Sequence, residues 1–273
     1  SNSVSLSCVL TMMLLVVSGA SKGFGQAVSV AFASHFRNIP MRIILTARSE
    51  SGLMKTMQMI EQEQVEGKEK PNVSIHPLDL GQLDTLESNL ELLVDAAQPL
   101  DRYERVVIIN NAGSVGPLGP MASVTSLAEL SNAIQLNVTS SLWFSNVWVR
   151  VLQDHPHTTI VNVSSLCAIQ PFPTMATYCA GKAARDMFHV TLAKENPTIQ
   201  ILNYAPGAME TSMTKILKES TVLSEDLSTW FRTSELIDPM TSAMKLVSLI
   251  DTQQYTSGSH VDYWDKLSDD TTM

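Results

Sequence analysis

The sequence predicts an α/β chain whose core is one parallel sheet, doubly wound, with helices on both faces. Three observations carry that expectation. Short apolar runs recur without polar alternation, the pattern of strands buried on both sides. Longer segments of helical spacing separate them and supply the crossovers that parallel strands require. A glycine cluster, Ser18-Gly19-Ala20-Ser21-Lys22-Gly23-Phe24-Gly25, follows the first run directly and opens a helical one.

Leu10 to Val17 reads as the first buried strand. The wider run from Val4 to Val17 has no basic residue ahead of it and is interrupted by Ser5, Ser7 and Thr11. It is also shorter than the roughly 20 apolar residues a membrane span needs, so neither a leader nor a span is expected. Gly25 to Phe36 is the first helix, with Ala27, Val28, Ala31 and Phe32 at apolar spacing. Met41 to Ala47 is the second strand, and Ser49 caps a helix running through Met54 and Met59 into the charged, solvated stretch Glu61 to Lys70. Val73 to Pro77, Val106 to Ile109, Thr159 to Val163 and Ile199 to Asn203 are further strands. Helices are expected over Leu83 to Ala97, Leu127 to Arg150 and Thr174 to Ala193. No repeat, linker or low-complexity stretch divides the chain, so residues 1–273 are expected to form one domain.

Hydrophobic residues make up 44% of the chain and charged residues 16%, which excludes a disordered chain. A formal charge of −9 argues against non-specific binding to nucleic acid or to acidic membranes. Cys8, Cys167 and Cys179 form no disulfide framework and no metal-ligand spacing, which points to a reduced, cytoplasmic setting and no metal. Cys179 is expected to be a small buried helix residue.

The glycine cluster has the spacing Gly-three-Gly-one-Gly rather than Gly-x-Gly-x-x-Gly. In a strand–turn–helix setting it suits a pyrophosphate, held by close backbone and a helix N-terminus. After the second strand stand Ala47, Arg48 and Ser49, with no acid before Glu50. An acid there would hold a ribose 2′-hydroxyl; Arg48, helped by Lys22, suits a 2′-phosphate instead, so the cofactor predicted is NADP(H). The chemistry is expected in Ser164 to Lys182. Tyr178 and Lys182 stand one helical turn apart, and a charge beside a phenol lowers its pKa from about 10. Taken alone, such a pair is more often just a solvated helix face.

Together with Asp79-Leu80, Asn110-Asn111-Ala112-Gly113, Asn137, Ser165, Tyr178-Cys179-Ala180-Gly181-Lys182 and Pro206-Gly207, these motifs make the chain resemble the short-chain dehydrogenase/reductase family along nearly its whole length. That implies a Rossmann-type domain. The runs Ala47 to Ser51, Ser164 to Ala168, Tyr178 to Met187, Tyr204 to Gly207 and Ser257 to Asp262 resemble the members that act on pterins. The implied activity is NADPH-dependent reduction of side-chain carbonyls on pterins, ending in tetrahydrobiopterin.

The resemblance also implies roles. Tyr178 donates a proton, Lys182 holds the nicotinamide ribose and lowers the tyrosine pKa, and Ser165 binds the substrate carbonyl. Asn137 helps a proton relay through backbone and water. Gly19, Ser21, Lys22, Gly23, Phe24 and Gly25 hold the cofactor phosphates, and Asp79 and Leu80 border the adenine. Asn111, Ala112 and Gly113 lie along its centre; Pro206, Gly207, Met209, Thr211 and Ser212 pass the nicotinamide. Cys167, Phe172, Met175 and Gly207 line the substrate, Met175 standing where other members carry an aromatic residue. Asp262 anchors the amino-pyrimidine edge, whose two parallel N–H groups a carboxylate can accept. Glu210 to Arg232 is expected to be a mobile lid. A homodimer is implied through the Leu127–Arg150 helix, with Leu142, Trp143, Phe144, Val147 and Trp148 supplying apolar surface, and the Thr174–Ala193 helix. Two alternatives share the scaffold: a general carbonyl or diketone reductase that makes no use of Asp262, and a non-catalytic NADP-binding regulator, which would not need both Tyr178 and Lys182.

Overall fold

A computed structural model describes residues 12–63, 67 and 69–266. Among the described residues seven strands pair in parallel throughout: β1 (Met12–Ser18), β2 (Met41–Ala47), β3 (Asn72–Pro77), β4 (Tyr103–Asn110), β5 (Thr158–Val163), β6 (Ile199–Ala205) and β7 (His260–Asp262). Their order is β3-β2-β1-β4-β5-β6-β7, so the direction of winding reverses between β1 and β4. Ligand crevices of doubly wound sheets open at that reversal, beyond the carboxyl ends of the strands.

The helices are α1 (Gly23–His35), α2 (Glu50–Gln62), α3 (Leu83–Ala97), α4 (Leu127–Ile134), α5 (Ser141–Leu152), α6 (Ala176–Glu195), α7 (Ser212–Glu219), α8 (Glu225–Thr233) and α9 (Pro239–Thr252). One core lies between the sheet and α1, α2 and α9, and a second between the sheet and α3, α5 and α6. Alternate strand residues feed the two cores, Leu15 and Val17 on one side and Leu14 and Val16 on the other. That is why these runs carry no polar alternation.

Most expected elements form within a few residues of their predicted bounds. The Val4–Thr11 part of the first run lies outside the described residues, as do positions 64–66 and 68 of the charged stretch. The single helix expected over Leu127–Arg150 is interrupted by a π-helical turn at Gln135–Ser140. There Asn137 holds both backbone groups of Ser114 at 2.8 Å, and the Ser140 hydroxyl donates to the Gln135 carbonyl at 2.9 Å. The helix expected from Thr174 starts at Ala176, because Thr174 has a left-handed backbone (φ +69°). Phe144 and Trp148, expected as interface surface, are fully buried under the sheet; Leu142, Trp143 and Val147 remain half-buried. Glu210 to Arg232 is mostly helical, forming α7 and most of α8. No described helix is long and apolar enough to cross a membrane.

Candidate active site

The glycine loop turns between β1 and α1, against the loop that leaves β4. Gly19 is left-handed (φ +67°), and a Cβ there would sit 2.8 Å from the Asn111 amide nitrogen. A Cβ on Gly25 would collide with the Gly19 carbonyl oxygen. The Asn111 amide donates to the carbonyls of Ser18 (3.0 Å) and Gly19 (3.1 Å), while the Ser18 hydroxyl accepts from the Asn111 and Ala112 N–H groups at 2.9 and 3.1 Å. The side chain of Asn111 therefore shapes the loop. Helix α1 has no side-chain cap at Lys22 and no acid in its first turn, so its N-terminal N–H groups and positive dipole end are left for an anion. Lys22 and Arg48 are exposed at the ends of this cradle. Glycines, an uncapped helix start and two exposed cations fit a dinucleotide with an extra phosphate.

Several residues of the predicted cofactor set are engaged elsewhere. The Phe24 ring is buried and stacks on Tyr204 at 6.0 Å, so only its backbone belongs to the loop. Leu80 lies in the core, and one Asp79 carboxylate oxygen accepts from Gly81 N–H at 2.9 Å. The Ser49 hydroxyl caps α2 through Gly52 N–H (3.2 Å), Ala47 is buried at the end of β2, and Ser21 packs against Gly52. Gly113 abuts the Asn137 carboxamide and Met209 packs on the first core. Thr211 caps α7, which begins at Ser212, and lies 3.5 Å from where a Gly23 Cβ would be.

Ser165, Tyr178 and Lys182 come together beyond the end of β5. Ser165 starts a short 3-10 turn, its hydroxyl accepting from Cys167 N–H at 3.2 Å, and it lies near enough to the Tyr178 phenol to act on its pKa. Lys182 Nζ donates to the Val163 carbonyl at 2.6 Å and lies 5.6 Å from the centre of the Tyr178 ring. Here the structure differs from the expected lowering of the phenol pKa. Burial, and then the neighbouring Cys167, push Tyr178 upward against the opposing Arg185 and Ser165. Burial also pushes the Lys182 ammonium well down, with Arg185 adding to it. Desolvation is the leading cause of both shifts. Asn137 packs against Gly181 of the same helix, 3.3 Å from where that glycine's Cβ would be.

An apolar cluster closes over this group: Val115, Cys167, Met175, Leu217, Leu223 and Phe231, with Phe172 half-buried at its edge. Met175 is only 2% exposed, enclosed by residues of α7 and α8. Burial raises the Cys167 thiol to about 12, which keeps it protonated and unreactive. Cys179 is half-buried rather than buried as expected. Pro206 and Gly207 leave β6, the Pro206 carbonyl accepting from the Ser242 hydroxyl at 2.9 Å. Asp262 ends β7 beside Ala205, and its Oδ1 accepts from Trp264 N–H at 2.9 Å.

Sequence reasoning missed the polar layer beneath these residues. Asn110, Asn162, Asn203 and His260 stand in register across β4, β5, β6 and β7. The Asn162 amide donates to Asn203 Oδ1 and to Asp186 Oδ1, both at 2.9 Å. Buried Arg185, lowered to about 10 by desolvation, donates to Asn162 Oδ1 (2.7 Å) and to the carbonyls of Asn110 (2.6 Å) and Ala112 (3.0 Å). Asp186 further accepts from the Ser164 hydroxyl and from His260 Nδ1, each at 2.6 Å. A sequence signal existed: three strands carry the same pattern of two aliphatic residues and an asparagine, in Ile108-Ile109-Asn110, Ile160-Val161-Asn162 and Ile201-Leu202-Asn203.

A doubly wound sheet with a phosphate cradle at its reversal, and a serine, tyrosine and lysine gathered beside it, defines a nucleotide-dependent oxidoreductase. The family model for short chain dehydrogenases matches residues 13–221, and the chain belongs to that family. The sepiapterin reductase of Rattus norvegicus is 36% identical over 259 residues, spanning 92% of this chain and 95% of the rat protein. The benzil reductase ((S)-benzoin forming) of Bacillus subtilis (strain 168) is 28% identical over 214 residues, 77% of this chain and 79% of that protein. Among solved structures, an alcohol dehydrogenase from the archaeon Thermococcus sibiricus, complexed with 5-hydroxy-NADP, shares the fold with a TM-score of 0.71. It is 22% identical, over 92% of this chain and 95% of that one.

Proposed function

We propose that the chain is an NADPH-dependent reductase of side-chain carbonyls on pterins, acting on sepiapterin and on 6-pyruvoyl-tetrahydropterin to give dihydrobiopterin and tetrahydrobiopterin. The observation that carries this reading is the Ser165–Tyr178–Lys182 group on a chain 36% identical to a sepiapterin reductase over 92% of its length. Bound NADPH supplies a hydride to the carbonyl carbon. The chain's own residues orient the substrate and move the proton. Ser165 donates a hydrogen bond to the carbonyl oxygen, and Tyr178 gives that oxygen its proton. Burial keeps the phenol protonated at neutral pH, which is the form a donor needs. Lys182 holds the nicotinamide ribose, and the widened turn at Asn137 passes the replacing proton through backbone and water. Arg48 and Lys22 take the 2′-phosphate, while the glycine loop takes the pyrophosphate. Asp79 and Leu80 border the adenine; Asn111 to Gly113 and Pro206 to Ser212 flank the rest. Cys167, Phe172, Met175 and Gly207 line the pterin, and Asp262 grips its amino-pyrimidine edge.

A general diketone reductase is the second reading, favoured by the likeness to benzil reductase and by the Trp264 N–H that already occupies one oxygen of Asp262. Two variants decide. Tyr178→Phe is expected to cut NADPH oxidation by sepiapterin about a hundredfold or more while leaving NADPH binding intact; an unchanged rate refutes the mechanism. Asp262→Ala is expected to raise the KM for sepiapterin and to spare diacetyl, and equal losses on both favour the second reading. The chain works as one domain, in a cytoplasmic setting that fits its free Cys167 and Cys179. It pairs as a homodimer through α5 and α6, where Leu142, Trp143 and exposed Met187 supply apolar surface; a monomer by light scattering at micromolar concentration would sink that expectation.

A further inference from the structure

We infer that Asp186 and His260 form a positioning pair that sets the place of Asp262 relative to Tyr178, and so the length of substrate the site accepts. The inference rests on the pterin reading above. Tyr178, Lys182 and Asp186 lie at i, i+4 and i+8 of α6, one stripe of one helix. His260 and Asp262 lie at i and i+2 of β7, on one face of the strand. Strand β7 has only three residues and, among the described residues, pairs with β6 alone, at the edge of the sheet. Backbone bonds to β6 from Gly258 to Tyr263 fix the register of this edge segment, and a side-chain bond to a rigid helix adds a tie on the face that carries Asp262.

The 2.6 Å bond from His260 Nδ1 to Asp186 Oδ2 is that link. Its carboxylate end is braced. The other Asp186 oxygen accepts from Asn162 and from Ser164, the neighbour of Ser165. One buried carboxylate therefore ties the proton-donor helix, the serine loop and the substrate-anchor strand together. His260 touches none of the reacting atoms and acts through Asp262.

The test compares His260→Leu, His260→Asn and Asp262→Ala on sepiapterin and on diacetyl, which has no amino-pyrimidine edge. His260→Leu is expected to raise the KM for sepiapterin about tenfold, the scale of one lost hydrogen bond to a charge. Its kcat for sepiapterin, its kcat/KM for diacetyl and its NADPH affinity stay within about twofold. His260→Asn carries an amide N–H near the place of Nδ1–H and recovers most of the KM. A merely structural histidine would lower both substrates together, and that result overturns the proposal, as does an unchanged KM. Should His260→Leu fail to fold, His260→Gln, whose longer side chain misplaces the donor, takes its part in the comparison. If Asp262→Ala separates the substrates and the His260 variants do not, the pairing fails and the anchor stands. If Asp262→Ala does not separate them, the anchor reading fails first and the pairing falls with it.

Discussion

A row of polar side chains crosses the sheet in register, and its two halves are built differently. Across β3, β2 and β1 the row is His76, Thr46 and Ser18. Its hydroxyls serve backbone: Thr46 donates to the His76 carbonyl at 2.9 Å, and Ser18 accepts N–H groups from the loop after β4. Across β4 to β7 the row is Asn110, Asn162, Asn203 and His260, interlocked with Arg185 and Asp186 of α6. On the side proposed for the nucleotide the backbone would be the binding group, so side chains have only to be small. On the side proposed for catalysis a second layer of buried polar groups lies beneath the site, and it holds the Ser164 hydroxyl, next to Ser165, through Asp186.

The sharpest way to break this contrast is Arg185→Met. It strips donors from two backbone carbonyls and from Asn162, and leaves buried Asp186 without its adjacent cation. The expected loss is about 3–5 kcal/mol of folding stability, read as a shifted urea midpoint at constant m. A loss below about 1 kcal/mol would mean that the second layer braces nothing.

Acid probes the same layer by a different route. His189 lies fully buried, its Nδ1 donating to the Arg185 carbonyl at 2.8 Å and its Nε2 accepting from Ser145 at 2.8 Å. Burial holds its pKa at about 4, below the ordinary 6.5. The folded chain therefore binds fewer protons than the unfolded one between those values. Stability is complete above about pH 6.5 and drains away as the pH falls toward 4, by roughly 3 kcal/mol in all. Urea midpoints at pH 7.5 and 4.5 should show the fall, and His189→Gln should flatten it. His76, in the nucleotide half, is shifted downward by partial burial and Arg42, but it remains accessible to water and contributes less.

The two halves were also unequally legible in the sequence. Strands β1 to β6, the glycine loop and the Tyr178–Lys182 spacing are local patterns, and local patterns survive without coordinates. The row of Asn110, Asn162, Asn203 and His260 is not local: its neighbouring members lie 41 to 57 residues apart in the chain and meet only through strand order. The break at Gln135–Ser140 arises from Asn137 gripping Ser114, a contact no periodicity reveals. Strand β7 and helix α9 went unassigned, since three residues make no pattern and α9 follows a long polar stretch. The direction of the Tyr178 shift is not legible in the sequence, because an ammonium one turn from a phenol suggests a lowered pKa until burial is counted.

Gly25→Ala tests the nucleotide half as Arg185→Met tests the other. The new methyl meets the Gly19 carbonyl, which Asn111 also holds, so the loop has nowhere to move. Overpacking of this kind costs about 1–3 kcal/mol, and NADPH binding measured by nucleotide fluorescence should fall far more than stability does. Retained binding would show that the loop yields and that close backbone approach is not what the glycines provide.

The smallest effect is expected from Arg48→Gln, because Arg48 is exposed and water screens what it does. It stands at the end of β2 with no acid before Glu50, and α2 keeps its own cap through Ser49, so removing the charge leaves the fold untouched. The ratio of kcat/KM for NADPH over NADH should drop about tenfold, the scale of a charge-assisted hydrogen bond, with NADH alone little changed. Added salt should weaken NADPH binding to the wild type more than to the variant. If NADPH and NADH were to suffer equally, Arg48 would be shaping the loop rather than reading the 2′-phosphate. The nucleotide half would then depend on a side chain in the way the catalytic half does, and the contrast between the two would shrink to one of degree.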